Sequence, residues 1–525
     1  MKEKADLLVV NGKIYILDEV NTLVECVAIR KGKIIWKGST QNAYRRFNTK
    51  ETLDLEGKAV FPGFIDPHCH FYGLAKNFQY VDLVGSTSFE EVINRVKSFT
   101  SPLPDGWIVG RGWDQNKWTE EKFPENGRLD KEFPGTPIVL IRIDGHAALA
   151  SDEALKQAGI NWIERFKPDE VETRNGLMTG ILRENACDFI RSVVPAPDKK
   201  GKVRLLRKAE ELCFSYGLTG VSDAGLDYEI VQLLDSMQRR GLLKINLYVM
   251  LNPTMENIDQ FVLQGPYETG KLTVRSIKLY ADGSLGSRTA LLKQPYSDAP
   301  GTSGILVTQV DSIRQICKLG LAHGYQVNTH AIGDSAVKLI LDIYGEFLKN
   351  PNDLRWRIEH AQVVDRKDVH LFNDYSIIPS IQATHATSDM FWAACRLGPV
   401  RLTCAYAYHT LLEQNGWLPN GTDFPIENVS PLLSFYAAVA RKDIKGQPEQ
   451  GFQMENGLTR EEAIRSMTLW AARANFWETT RGSLENGKSA DFVILSNDIM
   501  TIPMDEVPSV RVLKSFIAGE QVFPK

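Results

Sequence analysis

Short apolar runs set between turn residues open the chain. Leu7 to Val10, Lys13 to Leu17, Glu25 to Arg30, Lys33 to Trp36 and Thr52 to Leu55 are punctuated by Asn11-Gly12, Lys31-Gly32 and Gly57. That spacing predicts the short strands of a small β unit. The pattern returns only at the far end, in Ala490 to Leu495, Val510 to Ile517 and Gln521 to Phe523. Residues 1–58 and 483–525 are therefore expected to share one composite β-sandwich, discontinuous in sequence. Over 59–482, apolar strand-length runs alternate with helix-length amphipathic segments, which predicts repeated βα units and a parallel sheet. The strand candidates are Phe61 to Asp66, Ile138 to Ile143, Gly220 to Asp223, Ser276 to Ala281, Gln326 to Thr329, Arg357 to Glu359, Ile377 to Ile381 and Trp417 to Gly421. Eight such strands close a barrel, so the expected class is α/β: a TIM-like (β/α)8 barrel with insertions.

Two connections are long. Residues 71–137 contain Gly106-Trp107 and Gly112-Trp113, whose aromatic and glycine content suits a pocket wall, with Trp113 as a candidate substrate contact. Residues 151–216 contain Asn175-Gly176, which predicts a hairpin that carries Glu184 towards a site.

A chain of 525 residues accommodates a barrel with insertions and a smaller satellite. The net charge of −4 gives no electrostatic reason to expect nucleic acid or an anionic membrane, so the expected partner is a small molecule. The apolar stretch Leu7 to Val10 is too short for a signal peptide or a membrane span. Seven scattered cysteines fit reduced thiols, and the expected location is cytoplasmic. A homo-oligomer stays open.

The chemistry is concentrated where the predicted strands end. His68 and His70 are two residues apart at the end of an apolar run, so a strand presents both imidazoles on one face and turns Cys69 away. His330, His360 and Asp423 end or follow three later strand candidates. Only nine histidines exist in the chain, and four of them at corresponding positions of separate βα units is not a surface distribution. Nitrogen and oxygen donors of this kind suit zinc, with manganese, iron or nickel as alternatives. Taken singly, His330 and His360 also suit neutral strand-end histidines bonded to backbone, and Asp423 a turn cap. His146 in Asp144-Gly145-His146 is a candidate for the substrate's polar group, and His385 in Thr384-His385-Ala386 for a pocket contact. His323, His370 and His409 read as structural.

Phe61-Pro62-Gly63-Phe64-Ile65-Asp66-Pro67-His68-Cys69-His70, Lys278-Leu279-Tyr280-Ala281-Asp282-Gly283-Ser284 and Gly482-Ser483-Leu484-Glu485-Asn486-Gly487 together resemble the amidohydrolase superfamily. Within it they resemble the branch that contains N-substituted formamide deformylases and related YtcJ-like proteins. The resemblance spans nearly the whole chain. It implies a metal-dependent hydrolase with one or two ions in a barrel beside a two-ended β-sandwich. It also implies that Lys278, at the end of the fourth strand, is N6-carboxylated and bridges two metals; a lysine paired with Asp282 or Glu184 is the alternative. Glu184 itself is a candidate to ligate or bridge metal, or an ordinary ion-pair partner of Arg183 or Arg288.

On these expectations His68, His70 and Asp423 hold one ion and His330 and His360 a second. Asp423 takes a proton from metal-activated water and returns it to a leaving nitrogen, while His146 or a metal polarises the carbonyl. The expected reaction is hydrolysis of a non-peptide carbon-nitrogen bond, an N-formyl amide included. Deamination of an amino-heterocycle, cyclic amide hydrolysis and a catalytically silent metal-binding regulator are the alternatives.

Overall fold

The structure, a computed structural model, describes residues 2–524 apart from 101, 102, 116, 117, 121, 143–146, 160, 169 and 350, with the backbone alone at Glu184. It divides into two compact units, residues 1–71 with 210–525, and residues 72–209.

In the first unit both ends of the chain build two sheets. Glu3–Val10 is central in one, antiparallel to Cys26–Arg30 and parallel to Phe47–Asp54. In the other, Phe492–Leu495 lies between Ala59–Pro62 and Val512–Ile517, antiparallel to both. Alternation along Glu3–Val10 sends Leu7 and Val9 into a core with Ile14, Phe492 and Phe516, and sends Leu8 and Val10 to the opposite face, against Ala43. The expected strand Phe61 to Asp66 is thus not one strand. It divides at Gly63, where an added Cβ would fall 2.3 Å from the Thr219 hydroxyl. The half before Gly63 joins the sandwich and the half after it enters the barrel.

The barrel strands are β1 (Phe64–Cys69), β2 (Leu218–Leu226), β3 (Asn246–Leu251), β4 (Leu272–Tyr280), β5 (Gln326–Ala331), β6 (Arg357–His360) and β7 (Ile378–Ser380), all parallel and hydrogen-bonded in that order. The segment after Trp417 closes the ring without regular strand geometry. Ile381 and Asn420 bridge in parallel on one side. On the other, Asp423 N–H donates to His68 O at 2.9 Å and His70 N–H to Phe424 O at 2.7 Å. Amphipathic helices cover the outside; Tyr228–Arg239, for example, buries Ile230, Val231, Leu234 and Met237 on one stripe.

The second barrel strand requires a correction. Ile138–Arg142, expected there, pairs instead in parallel with Ile108–Trp113 and antiparallel with Ala147–Ala150, in a six-stranded sheet of the second unit. Asn246–Leu251, overlooked in the sequence, supplies the missing barrel strand. A short, fully buried apolar run has the same periodicity in either sheet, and only its pairing separates the two. Along Ile138–Arg142, Val139 and Ile141 face one core of the second unit, and Ile138 and Leu140 face the other.

Trp113 belongs to that second core. It is 1% exposed, donates Nε1–H to Leu140 O at 2.7 Å and packs on Trp118 and Phe123. Its indole is therefore structural, and the expected substrate contact is withdrawn. The predicted hairpin is present, with Asn175 and Gly176 both left-handed between Val171–Arg174 and Leu177–Arg183. Glu184 opens the helix Glu184–Val193, and its side chain lies outside the described residues, as does the whole of His146.

Candidate metal centre

The site is assembled by the barrel's closure. Asp66, on β1, accepts from the Thr422 hydroxyl at 2.7 Å, from Thr422 N–H at 3.2 Å and from His68 N–H at 3.1 Å. This carboxylate ties the closing segment to β1 and sets Asp423 opposite His68 and His70. Gly421 permits the approach: an added Cβ would lie 2.7 Å from His68 O. Burial pushes the Asp66 carboxyl up to about 7, against the pull of its hydrogen bonds.

His68 and His70 do share a face. Their Nε2 atoms lie 3.5 and 3.3 Å from the same oxygen, Asp423 Oδ1, while Cys69 turns away and its thiol donates to Ser222 O. From β6, His360 sets its ring 4.9 Å from that of His68 and 4.6 Å from that of His330 on β5. Lys278 Nζ, 1% exposed on β4, is 3.3 Å from His68 Nε2. The structure thus brings His68, His70, Lys278, His330, His360, His385 and Asp423 together. His370 and His409 instead pair with Asp374 and Glu413 along their own helices.

Whether these residues fit a metal is answered by their outward-facing atoms. His70 Nδ1 lies 2.9 Å from Ala224 O, His360 Nδ1 2.7 Å from Gln382 Oε1, His330 Nε2 3.1 Å from Gly283 O and His68 Nδ1 2.5 Å from Glu359 Oε2. An oxygen beside one ring nitrogen draws the proton there and leaves the other nitrogen with a free lone pair. Inward-facing atoms of His68, His360 and Asp423 lie within 4.8 Å of one another, and Asp423 Oδ1 is buried without a hydrogen bond. Neutral imidazoles around an unsatisfied carboxylate oxygen fit a divalent cation.

The charge states agree. Burial, reinforced by Lys278, lowers His68 and takes His330 down to about 3. Burial and then the neighbouring His330 hold His360 well below the ordinary imidazole range. Burial would raise Asp423, but the His385 and His70 rings beside it hold it well below the usual carboxylate range. His385, 3.5 Å from Asp423 Oδ2, is raised to about 9 by that carboxylate, against burial. Burial lowers Lys278 towards the neutral amine. Asp282, one alternative partner for that lysine, instead accepts backbone N–H groups from Leu291, Ile332 and Gly333.

Glu359 and Gln382 carry parts of the site that the sequence did not single out for it. Glu359 lies two residues after Arg357 and directly before His360, a spacing that places it inside the barrel. Gln382 follows β7 and gave no separate signal.

Residues 51–523 match the Amidohydrolase family profile. The chain belongs to the amidohydrolase family. This amidohydrolase is similar to YtcJ of Bacillus subtilis (strain 168), 31% identical over 98% of each chain. It is also similar to the N-substituted formamide deformylase of Arthrobacter pascens, 23% identical over 99% of this chain and 98% of that one. Among solved structures, an uncharacterized metal-dependent hydrolase of Pyrococcus horikoshii OT3 aligns with a TM-score of 0.81 and 29% identity, covering 95% of this chain and 99% of that one. The amidohydrolase is accordingly a hydrolase, built on the barrel and two-ended sandwich already described. No helix among the described residues is long and apolar enough to cross a membrane.

Proposed function

We propose that this amidohydrolase cleaves a carbon-nitrogen bond other than a peptide bond in a small molecule, with N-formyl and related simple amides as the favoured class. The observation that carries this is the buried convergence of His68, His360 and Asp423 around an unsatisfied Asp423 oxygen. Similarity to the N-substituted formamide deformylase supports the bond type. The metal is a divalent cation, zinc foremost, held by His68, His360 and Asp423 with His70 and His330 beside them. When bound, it supplies Lewis acidity and a water that ionises near neutral pH.

Asp423 holds the proton through the reaction. Its Oδ1 faces His68 and His70 and its Oδ2 faces His385. One carboxylate thus takes a proton from water and delivers it to the leaving nitrogen. His385, beside Oδ2, favours the anionic carboxylate before the first transfer and after the second. Lys278 is the proposed bridge of a two-metal form. As a neutral amine it adds to carbon dioxide, forming a carbon-nitrogen bond and releasing one proton, which turns a cationic side chain into an anionic oxygen donor.

The test is a screen of stripped and zinc-reconstituted protein against N-formyl amines, N-acyl amino acids, lactams and amino-heterocycles, reading formate, free amine and ammonia. Formate with an equimolar amine, lost on chelation and restored by zinc, is expected. Ammonia from amino-heterocycles would replace this with deamination, and turnover indifferent to thorough chelation would remove the metal from the mechanism.

A further inference from the structure

The structure assigns Glu359 as a positioning residue for the metal centre: with Arg357 it fixes His68 from the side facing away from the ligand cluster. This assignment rests on the metal-centre function proposed above. Glu359 is fully buried, and its Oε2 lies 2.5 Å from His68 Nδ1. Its other oxygen, Oε1, makes no hydrogen bond and lies 3.9 Å from Arg357 Nη1. Arg357 is itself fully buried and donates Nη1–H to Pro67 O at 3.1 Å and Nη2–H to Asn475 Oδ1 at 2.7 Å. Two residues of β6, at i and i+2, therefore grip two consecutive residues of β1 across the barrel interior. Arg357 holds the Pro67 carbonyl, and Glu359 holds the ring of the next residue.

The choice of a carboxylate is informative. Burying an ionised carboxylate and a guanidinium costs several kcal/mol per ion, and apolar residues of like volume would fill the space more cheaply. A neutral hydrogen-bonding residue would hold the ring but would let the proton sit on either nitrogen. An anion beside Nδ1 keeps the proton there, leaves the Nε2 lone pair pointing at Asp423 and the cluster, and makes that nitrogen a stronger donor. His68 Nε2 also has Lys278 Nζ at 3.3 Å, a competitor for the same lone pair. Glu359 opposes the tautomer flip that would put a second hydrogen between them. The next residue of β6 is the ligand His360, so one short strand both supplies a ligand and orients another.

The experiment compares wild-type protein with E359A and E359Q, each stripped of metal. Zinc dissociation constants are measured by chelator competition, cobalt absorption spectra are recorded, and metal-free melting temperatures are taken separately. E359A is expected to weaken zinc about 10–100-fold. E359Q keeps an acceptor but loses the charge, and is expected to weaken zinc on the order of 10-fold with a shifted cobalt spectrum. If E359A does not fold, E359Q, of nearly the same volume, decides. A counter-ion for Arg357 and nothing more would lower the metal-free melting temperature while leaving zinc affinity and the cobalt spectrum of the folded variants at wild-type values. That result overturns the assignment alone. Wild-type protein that binds neither zinc nor cobalt overturns the metal centre, and this role with it.

Discussion

Gly421→Ala tests how the closure of the barrel sets the site. The added methyl would lie 2.7 Å from His68 O, 2.9 Å from His68 N and 2.9 Å from Asp66 Oδ1. None of these can swing aside as the end of a long side chain would. Two are backbone, and the third belongs to the carboxylate that holds Thr422. Regaining ordinary contact requires a retreat of about 0.7 Å from the His68 oxygen and about half an ångström from the other two atoms. His68 O accepts the Asp423 N–H at 2.9 Å, so the retreat moves β1 away from the segment carrying Asp423. Over-packing of this kind costs about 1–3 kcal/mol, which a barrel of this size survives. The site has less tolerance: the displacement is shared between His68 and Asp423, and the expected loss is on the order of 10–100-fold in zinc affinity, with a comparable loss in kcat/KM. Chelator competition and metal-free melting measure the two effects separately. Gly270→Ala is the control, because a Cβ there meets nothing within 4 Å. A G421A protein with wild-type melting temperature and wild-type zinc affinity would show that the close approach does not position the ligands.

Asp423→Asn should fold and keep part of its metal affinity, yet lose about 10²–10⁴ in kcat as proton transfer fails; wild-type turnover of a proven substrate would sink the shuttle assignment. Zinc at about 100 times its dissociation constant should stabilise the stripped protein by about 2.7 kcal/mol, read as a rise in melting temperature, and no rise would argue against a resident metal. In the stripped protein, His385 is raised from 6.5 to about 9, so its stabilising contribution is complete below pH 6.5 and disappears as pH climbs through 9. The gap in unfolding free energy between wild type and H385Q should therefore shrink across that interval, and a constant gap would refute the pairing with Asp423. Mass spectrometry of intact protein prepared with bicarbonate should show a carboxyl adduct on wild type that Lys278→Met lacks; an adduct on both would place it elsewhere.

What could be read from the sequence were features that depend on spacing alone. His68 and His70 converge because residues at i and i+2 of an extended strand must, and the two-ended sandwich follows from a turn-punctuated pattern found only near the termini. Ile138–Arg142 stands in for the overlooked Asn246–Leu251 in the expected barrel because a short apolar run with no polar face does not say which sheet buries it. The split at Gly63 was hidden for a related reason: the residues on either side are equally buried, and only the crowding by Thr219 marks the crossing.

The site residues that escaped the alternation rule share one cause. Glu359 and His360 are consecutive, so an extended strand would send one inward and the other out, yet both reach the His68 ring. The backbone leaves the extended conformation to allow it: φ is 74° at His360 and 42° at Ala361. Asp423, where the closing segment meets β1, has φ of 61°. Left-handed conformations at non-glycine residues cost on the order of 1 kcal/mol or more each and persist only where surrounding contacts hold them. Here those contacts are the Gln382 bond to His360 and the β1 pairing of Asp423, the same bonds that aim these two side chains at the site. The candidate metal centre is thus built where the chain departs from regular strand geometry, which is why periodicity located the strands' ends but did not reveal how side chains from separate strands meet.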